Sequence, residues 1–183
     1  MKKIILLNGG SKTRKAFRSG VSTSELVCHH SKKMILHIDG TNELSFVIDN
    51  VAIDFTDSYV FTRLRATDAH FCGILYEHLQ AIGIPASDPI NLSYKASEEK
   101  ISQMGRLARA GVPVPETIIA REESYSANKE YILEHISFPL VYKTDGSRGT
   151  AVLKINSKEE LEQKLKMKKQ EVLKARVKTV TYP

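Results

Sequence analysis

Short apolar runs alternate with stretches of helical spacing along this chain, and the alternation predicts an α/β protein. Ile4 to Leu7 is a continuous apolar run of strand length, ended by Asn8-Gly9-Gly10. The polar stretch Ser11 to Ser24, basic through Lys12, Arg14, Lys15 and Arg18, reads as a loop or a poorly packed helix. Met34 to Ile38 and Ser45 to Ile48 read as strands flanking Asp39-Gly40-Thr41-Asn42, a hairpin signal. Val51 to Phe55 reads as a further short strand.

From Tyr59 the pattern becomes regular. Tyr59-Val60-Phe61 is a strand, and Thr67 can cap a helix with Phe71, Leu75, Leu79 and Ile82 on one face. Gly83 and Pro85 end it. Ser97 opens a second helix, with Ile101, Met104, Leu107 and Ala108 on one face and Gly111 and Pro113 closing it. Thr117 to Ala120 is a strand, Ser124 to Glu134 a helix, Leu140 to Lys143 a strand, and Ala151 to Ile155 its hairpin partner. Ser157-Lys158-Glu159-Glu160 is a capping box before a helix with a thin apolar stripe (Leu161, Leu165, Val172). Val177 to Tyr182 reads as a last strand, and no repeat or low-complexity segment is present.

Composition narrows the class. At 183 residues with 42% hydrophobic and 26% charged, the chain can build a core and reads as globular. No apolar run approaches the ~18–20 residues of a membrane helix. The short apolar segment after Met1-Lys2-Lys3 does not make a signal sequence. Cys28 and Cys72 cannot form a disulfide framework or a four-ligand zinc site by themselves. A cytoplasmic protein is expected, with no membrane partner. The net charge of +6 is concentrated at one end: from Lys158 to Pro183 eight basic residues stand against four acidic ones. A solvated basic face explains that end, so nucleic acid is not the expected partner.

The stretch richest in chemistry runs from Phe138 to Val152. A buried strand ends in Lys143, and a loop with Gly146 and Gly149 follows before the chain returns as a second strand. Glycines let a backbone approach a phosphate and aim N–H groups at it, while the lysine adds a point charge. One ammonium about 4 Å from a phosphate gains roughly 4 kcal/mol gross at a surface-like dielectric. An ordinary hairpin with a glycine turn remains the alternative. The stretch is not a P-loop, because its lysine precedes the glycines and no helix follows directly. Asn8-Gly9-Gly10-Ser11-Lys12-Thr13 stands in a better place, after a strand, but lacks the upstream glycine of that motif.

A second stretch lies upstream: Ser97-Glu98-Glu99-Lys100, then Ala110-Gly111-Val112-Pro113-Val114-Pro115-Glu116-Thr117. Together with Arg63 or Arg65, Gly83-Ile84-Pro85, Phe138 to Lys143 and Gly146 to Val152, it resembles the ATP-grasp superfamily, in its ribosomal-protein glutamate ligase-like branch. The resemblance covers about Tyr59 to Lys158. It implies an α/β fold: a pre-ATP-grasp α/β domain (1–95) followed by the small α+β subdomain of an ATP-grasp fold (96–183), the latter incomplete. It also implies that Lys100 and Lys143 contact the ATP phosphates from two subdomains, and that Gly146, Ser147, Arg148, Gly149 and Thr150 fold over them as a lid. Arg63 and Arg65, at a strand end, would hold a substrate carboxylate, with a surface ion pair as the alternative.

The resemblance carries departures. The loop's usual last glycine is Ala151 here, and the loop is one residue short after Lys143. In the family the adenine hinge and the magnesium ligands lie further on than Pro183. The acids beyond Lys143 (Asp145, Glu159, Glu160, Glu162, Glu171) form no paired metal arrangement. The expectation is the ATP-binding portion of a carboxylate–amine ligase acting through an acyl-phosphate, inactive as this chain alone. ATP is the expected cofactor, with Mg2+ only in a complete protein. The expected partners are a small-molecule or peptide carboxylate and an amine, and a homo-oligomer is left open. The alternatives are a non-catalytic binding module, or a degenerate ATP-grasp scaffold with a basic docking segment.

Other features read more plainly. Ser97-x-x-Lys100 matches a penicillin-binding signature, but a helix cap explains Ser97 and no partner motif follows. Cys28, His29, His30 and His37 suggest a metal, against a reading as a loop of solvated histidines. Cys72 is expected as a small buried hydrophobe. His70 and His78 carry no signal.

Overall fold

A computed structural model describes residues 3–21, 26–63, 69–87, 100–144, 152–170 and 176–181. The chain divides into two compact units, one of Met1–Lys32 with Ile53–Arg106, the other of Lys33–Ala52 with Leu107–Pro183. The class is α/β as expected, with one parallel sheet, one antiparallel sheet and, among the described residues, six α-helices.

In the first unit, β1 (Lys3–Leu7) lies between β2 (Leu26–His29) and β6 (Ser58–Thr62), parallel to both. Its central place explains the unbroken apolar run: Ile5, Leu6 and Leu7 are buried, as expected for a strand covered on both faces. The stretch after Gly10 forms α1 (Ser11–Gly20), a helix with no buried residue, so the poorly packed alternative is the one realised. β2 was not expected. It carries Cys28 and His29, so these residues stand on a strand and not in a loop. α2 (Ala69–Ala81) buries Phe71, Cys72, Leu75 and Leu79, and Gly83 ends it at φ 73°, a left-handed conformation that suits glycine. Ile82 falls past the last helical turn and is 48% exposed. Thr67 and Ser97, expected as caps, lie outside the described residues. α3 (Lys100–Arg109) continues past the end of this unit, and its second-unit residues include the buried Ala108 and Leu107, which is 44% exposed.

The second unit is a sheet of seven strands in the order β5-β4-β3-β7-β10-β8-β9, every pair antiparallel. β3 (Ile35–Ile38) and β4 (Leu44–Ile48) form the expected hairpin, and β5 (Val51–Ala52) is only two residues long. β7 (Thr117–Arg121) pairs with β3, and β10 (Arg176–Thr181) lies between β7 and β8 (Leu140–Thr144), with β9 (Val152–Ile155) at the edge. One core joins Ile35, Val47, Ile118, Ala120, Leu140, Tyr142 and Ile155 of the sheet to Ile132 and Leu161 of two helices and to Ile136.

The helix expected at Ser124 to Glu134 is two helices, α4 (Glu122–Ala127) and α5 (Lys129–His135), broken at Asn128. Asn128 is fully buried. Its Nδ2 donates to the Lys33 and Ser124 carbonyls at 2.6 and 2.7 Å, and its Oδ1 accepts from the Asn50 N–H at 3.0 Å. α6 (Lys158–Gln170) starts as expected: the Glu160 N–H donates to Ser157 Oγ at 3.3 Å, although the Glu160 carboxylate reaches the Asn156 N–H instead of the cap's own.

Candidate functional site

Strand alternation positions Lys143. In β8, Leu140 and Tyr142 are buried in the core, so the period of two turns Val141 and Lys143 to the opposite face, where both are half-buried. The antiparallel register sets Lys143 against Val152 of β9 on one side and against Lys178 of β10 on the other. The glycine-containing segment is thus the connection of a β8–β9 hairpin, as its sequence suggested. Gly146, Ser147, Arg148, Gly149 and Thr150 lie outside the described residues. Lys100 is the first residue of α3, in the first unit, and its side chain lies outside the described part.

One further predicted residue, Arg63, stands at the carboxyl edge of the parallel sheet. Arg63 follows β6 directly, and its backbone N–H donates to the Leu7 carbonyl of β1 at 3.0 Å. Its guanidinium Nη1 donates to Thr13 Oγ1 of α1 at 2.9 Å. That partner is a hydroxyl, so the bond orients the cation without neutralising it. Arg65 lies outside the described residues.

His37 is a buried residue of β3, and His29 ends β2. His37 Nε2 stands 3.3 Å from Glu116 Oε1, and its Nδ1 stands 2.9 Å from the Tyr131 hydroxyl. A carboxylate only accepts, so Nε2 carries the proton and Nδ1 receives the tyrosine O–H. Tyr131 stacks on His135 at 3.9 Å between ring centroids. Desolvation lowers the His37 pKa below 6.5 against the opposing bond and charge of Glu116. The same burial, followed by the charges of Asp39, Glu134 and Glu116, raises that of Tyr131. Sequence reading missed this chain of contacts. The available signal was that His37 shares the face of Ile35 two residues earlier, which makes it a core position and not a solvated one.

Among the described residues no three His, Cys, Asp or Glu side chains stand together as a candidate metal site. No helix of the described residues is long and apolar enough to cross a membrane.

No protein-family model matches the chain, and no curated protein does. Among solved structures it is similar to the crystal structure of a RimK domain protein ATP-grasp from Sphaerobacter thermophilus DSM 20745, at 18% sequence identity and a TM-score of 0.39. The match covers 99% of this chain and 64% of that one, so this chain spans less than two thirds of the matched protein's length.

Proposed function

We propose that this chain is the ATP-binding portion of a carboxylate–amine ligase of the ATP-grasp type, with Lys143 as the phosphate-contacting group of the second unit. The observation that carries the reading is the placement of Lys143. It stands on the face of β8 away from the helical core, and in register with the first residue of β9 across the glycine-containing connection. A lysine on a rigid strand beside such a connection offers a fixed charge and a backbone able to come close to phosphate oxygens. Lys100 and residues Gly146 to Thr150 enter this reading through the sequence resemblance.

In the parent reaction a substrate carboxylate oxygen attacks the γ-phosphorus of ATP and ADP leaves, giving an acyl-phosphate. The amine nitrogen then attacks the acyl carbon, loses a proton, and inorganic phosphate departs. Lysine charges contribute by offsetting the negative charge of the triphosphate.

Hydrogen exchange with and without ATP tests the reading. Slower exchange of the amides from Tyr142 to Ile155 on adding ATP supports it. Unchanged exchange there at saturating nucleotide contradicts it.

A further inference from the structure

We propose that the groove between β9 and α6, in the second unit, binds an extended acidic peptide, which adds a strand to the free edge of the seven-stranded sheet and sets a carboxylate against Lys164. β9 ends the strand order. Its inner side pairs with Leu140 to Lys143 of β8, and no strand among the described residues pairs with its outer side. An edge strand offers a row of backbone N–H and C=O groups, which chains commonly hide under a helix, a loop or a bulge. Here the edge residues Val152 and Leu153 are 50% and 38% exposed.

Three observations meet along that edge. First, the alternation of a strand puts Leu153 on the same face as Ile155, and α6 covers only one of them. Ile155 is buried in one core with Leu161, whereas Leu153 is left uncovered beside the helix. Second, strand and helix border a groove of about 290 Å³, with Leu153 and Ile155 on one side and Glu160, Gln163 and Lys164 on the other. The helix residues stand three and four apart, so they share one face. A groove between an edge strand and a helix suits an extended peptide, whose backbone joins the ladder while alternate side chains settle on the floor. Third, the groove is positive. Lys164 is half-buried and makes no ion pair among the described residues. Glu160, the acid of the lining, already accepts through Oε2 from the Asn156 N–H at 2.8 Å and from Asn156 Nδ2 at 3.3 Å. Lys154, also exposed, adds a cation on the other face of the strand, where the alternate side chains of a paired peptide lie.

Charge decides the occupant. A second copy of this chain, paired edge to edge, would set Lys154 and Lys164 against their own counterparts, because a symmetric contact brings the same patch to both sides. A peptide with an apolar side chain over Leu153 and acidic side chains beside the two lysines complements both the floor and the charge. The groove lies on the face of β9 that turns toward α6, and Lys143 stands on the opposite face of the sheet, so this site does not rest on the nucleotide reading.

The test titrates the full chain into a labelled, end-blocked peptide of one valine flanked on each side by two glutamates, read by fluorescence anisotropy and by backbone amide NMR. Two further peptides serve as arms: one with lysine for every glutamate, and one acidic but N-methylated throughout, which keeps the side chains and loses the ladder donors. The expected result is saturable binding of the acidic peptide with shifts of the Val152, Leu153, Lys154 and Ile155 amides, and binding weaker by about tenfold or more in both other arms. Lys164→Glu should weaken the acidic peptide and tighten the lysine one, a crossed change that a misfolded chain would not give. The proposal is overturned by an absence of saturation, by equal affinity for the acidic and lysine peptides, by tight binding of the N-methylated peptide, or by a Lys164→Glu chain that treats both peptides as before. A concentration-dependent dimer in sedimentation that shifts the same amides without peptide would assign the edge to a second copy and overturn it equally.

Discussion

His37 is an ionisable side chain that folding removes from water, and its burial has a consequence in solution. Its pKa lies below 6.5 in the folded chain because desolvation outweighs the bond and charge of Glu116. Between the folded and unfolded values the unfolded chain binds more protons, so stability rises with pH across that window. The contribution is fully present above 6.5 and is lost as pH falls through the range beneath it. Urea midpoints should therefore drop from pH 7 to pH 5, and His37→Gln, which cannot titrate, should flatten that slope. A slope unchanged in the variant would assign the effect elsewhere. Gly9 is the other residue whose identity is dictated by contact. Leu6 is fully buried and cannot swing away from a new Cβ at 2.4 Å, so Gly9→Ala should cost about 1–3 kcal/mol by overpacking, read as a lower midpoint with an unchanged m-value.

At the scale of elements, local pattern and long-range contact decide different things. The β3–β4 and β8–β9 hairpins were legible because each is an apolar run, a turn and a second run close in sequence. β2 was not legible, since Leu26–His29 has only two apolar aliphatics and gains its strand from pairing with β1. Nor was the break between α4 and α5, whose cause lies far away in sequence. The Asn128 side chain satisfies backbone groups of Lys33 and Asn50, next to β3 and β4, and the helix is interrupted where it does so. Asn128→Ala should leave those part-buried groups without this partner, at up to about 1–3 kcal/mol for each one stranded. Chemical denaturation measures the sum, and a loss below 1 kcal/mol would show that water replaces the amide.

For the whole molecule, the α/β class and most elements were open to reading because period-two and helical spacings survive in the apolar positions. The strand order of the seven-stranded sheet was not, because it brings residues 35–52 beside residues 117–121 and 176–181 beside 140–144, pairings that no local window contains. The candidate site divides in the same way. Lys143 was singled out by its place before a glycine-containing turn, and Arg63 by its place at a strand end. The contact of Arg63 with Thr13 depends on the folded sheet edge. The central claim is that Lys143 belongs to a nucleotide phosphate site. Calorimetric titration of ATP into this chain and into Lys143→Ala, with and without magnesium, tests it most directly. The account predicts saturable binding to the unaltered chain that is lost or weakened by about tenfold or more in the variant, the worth of one charge-assisted contact. Equal binding by both would contradict the role of Lys143, and no binding by either would contradict the nucleotide site itself.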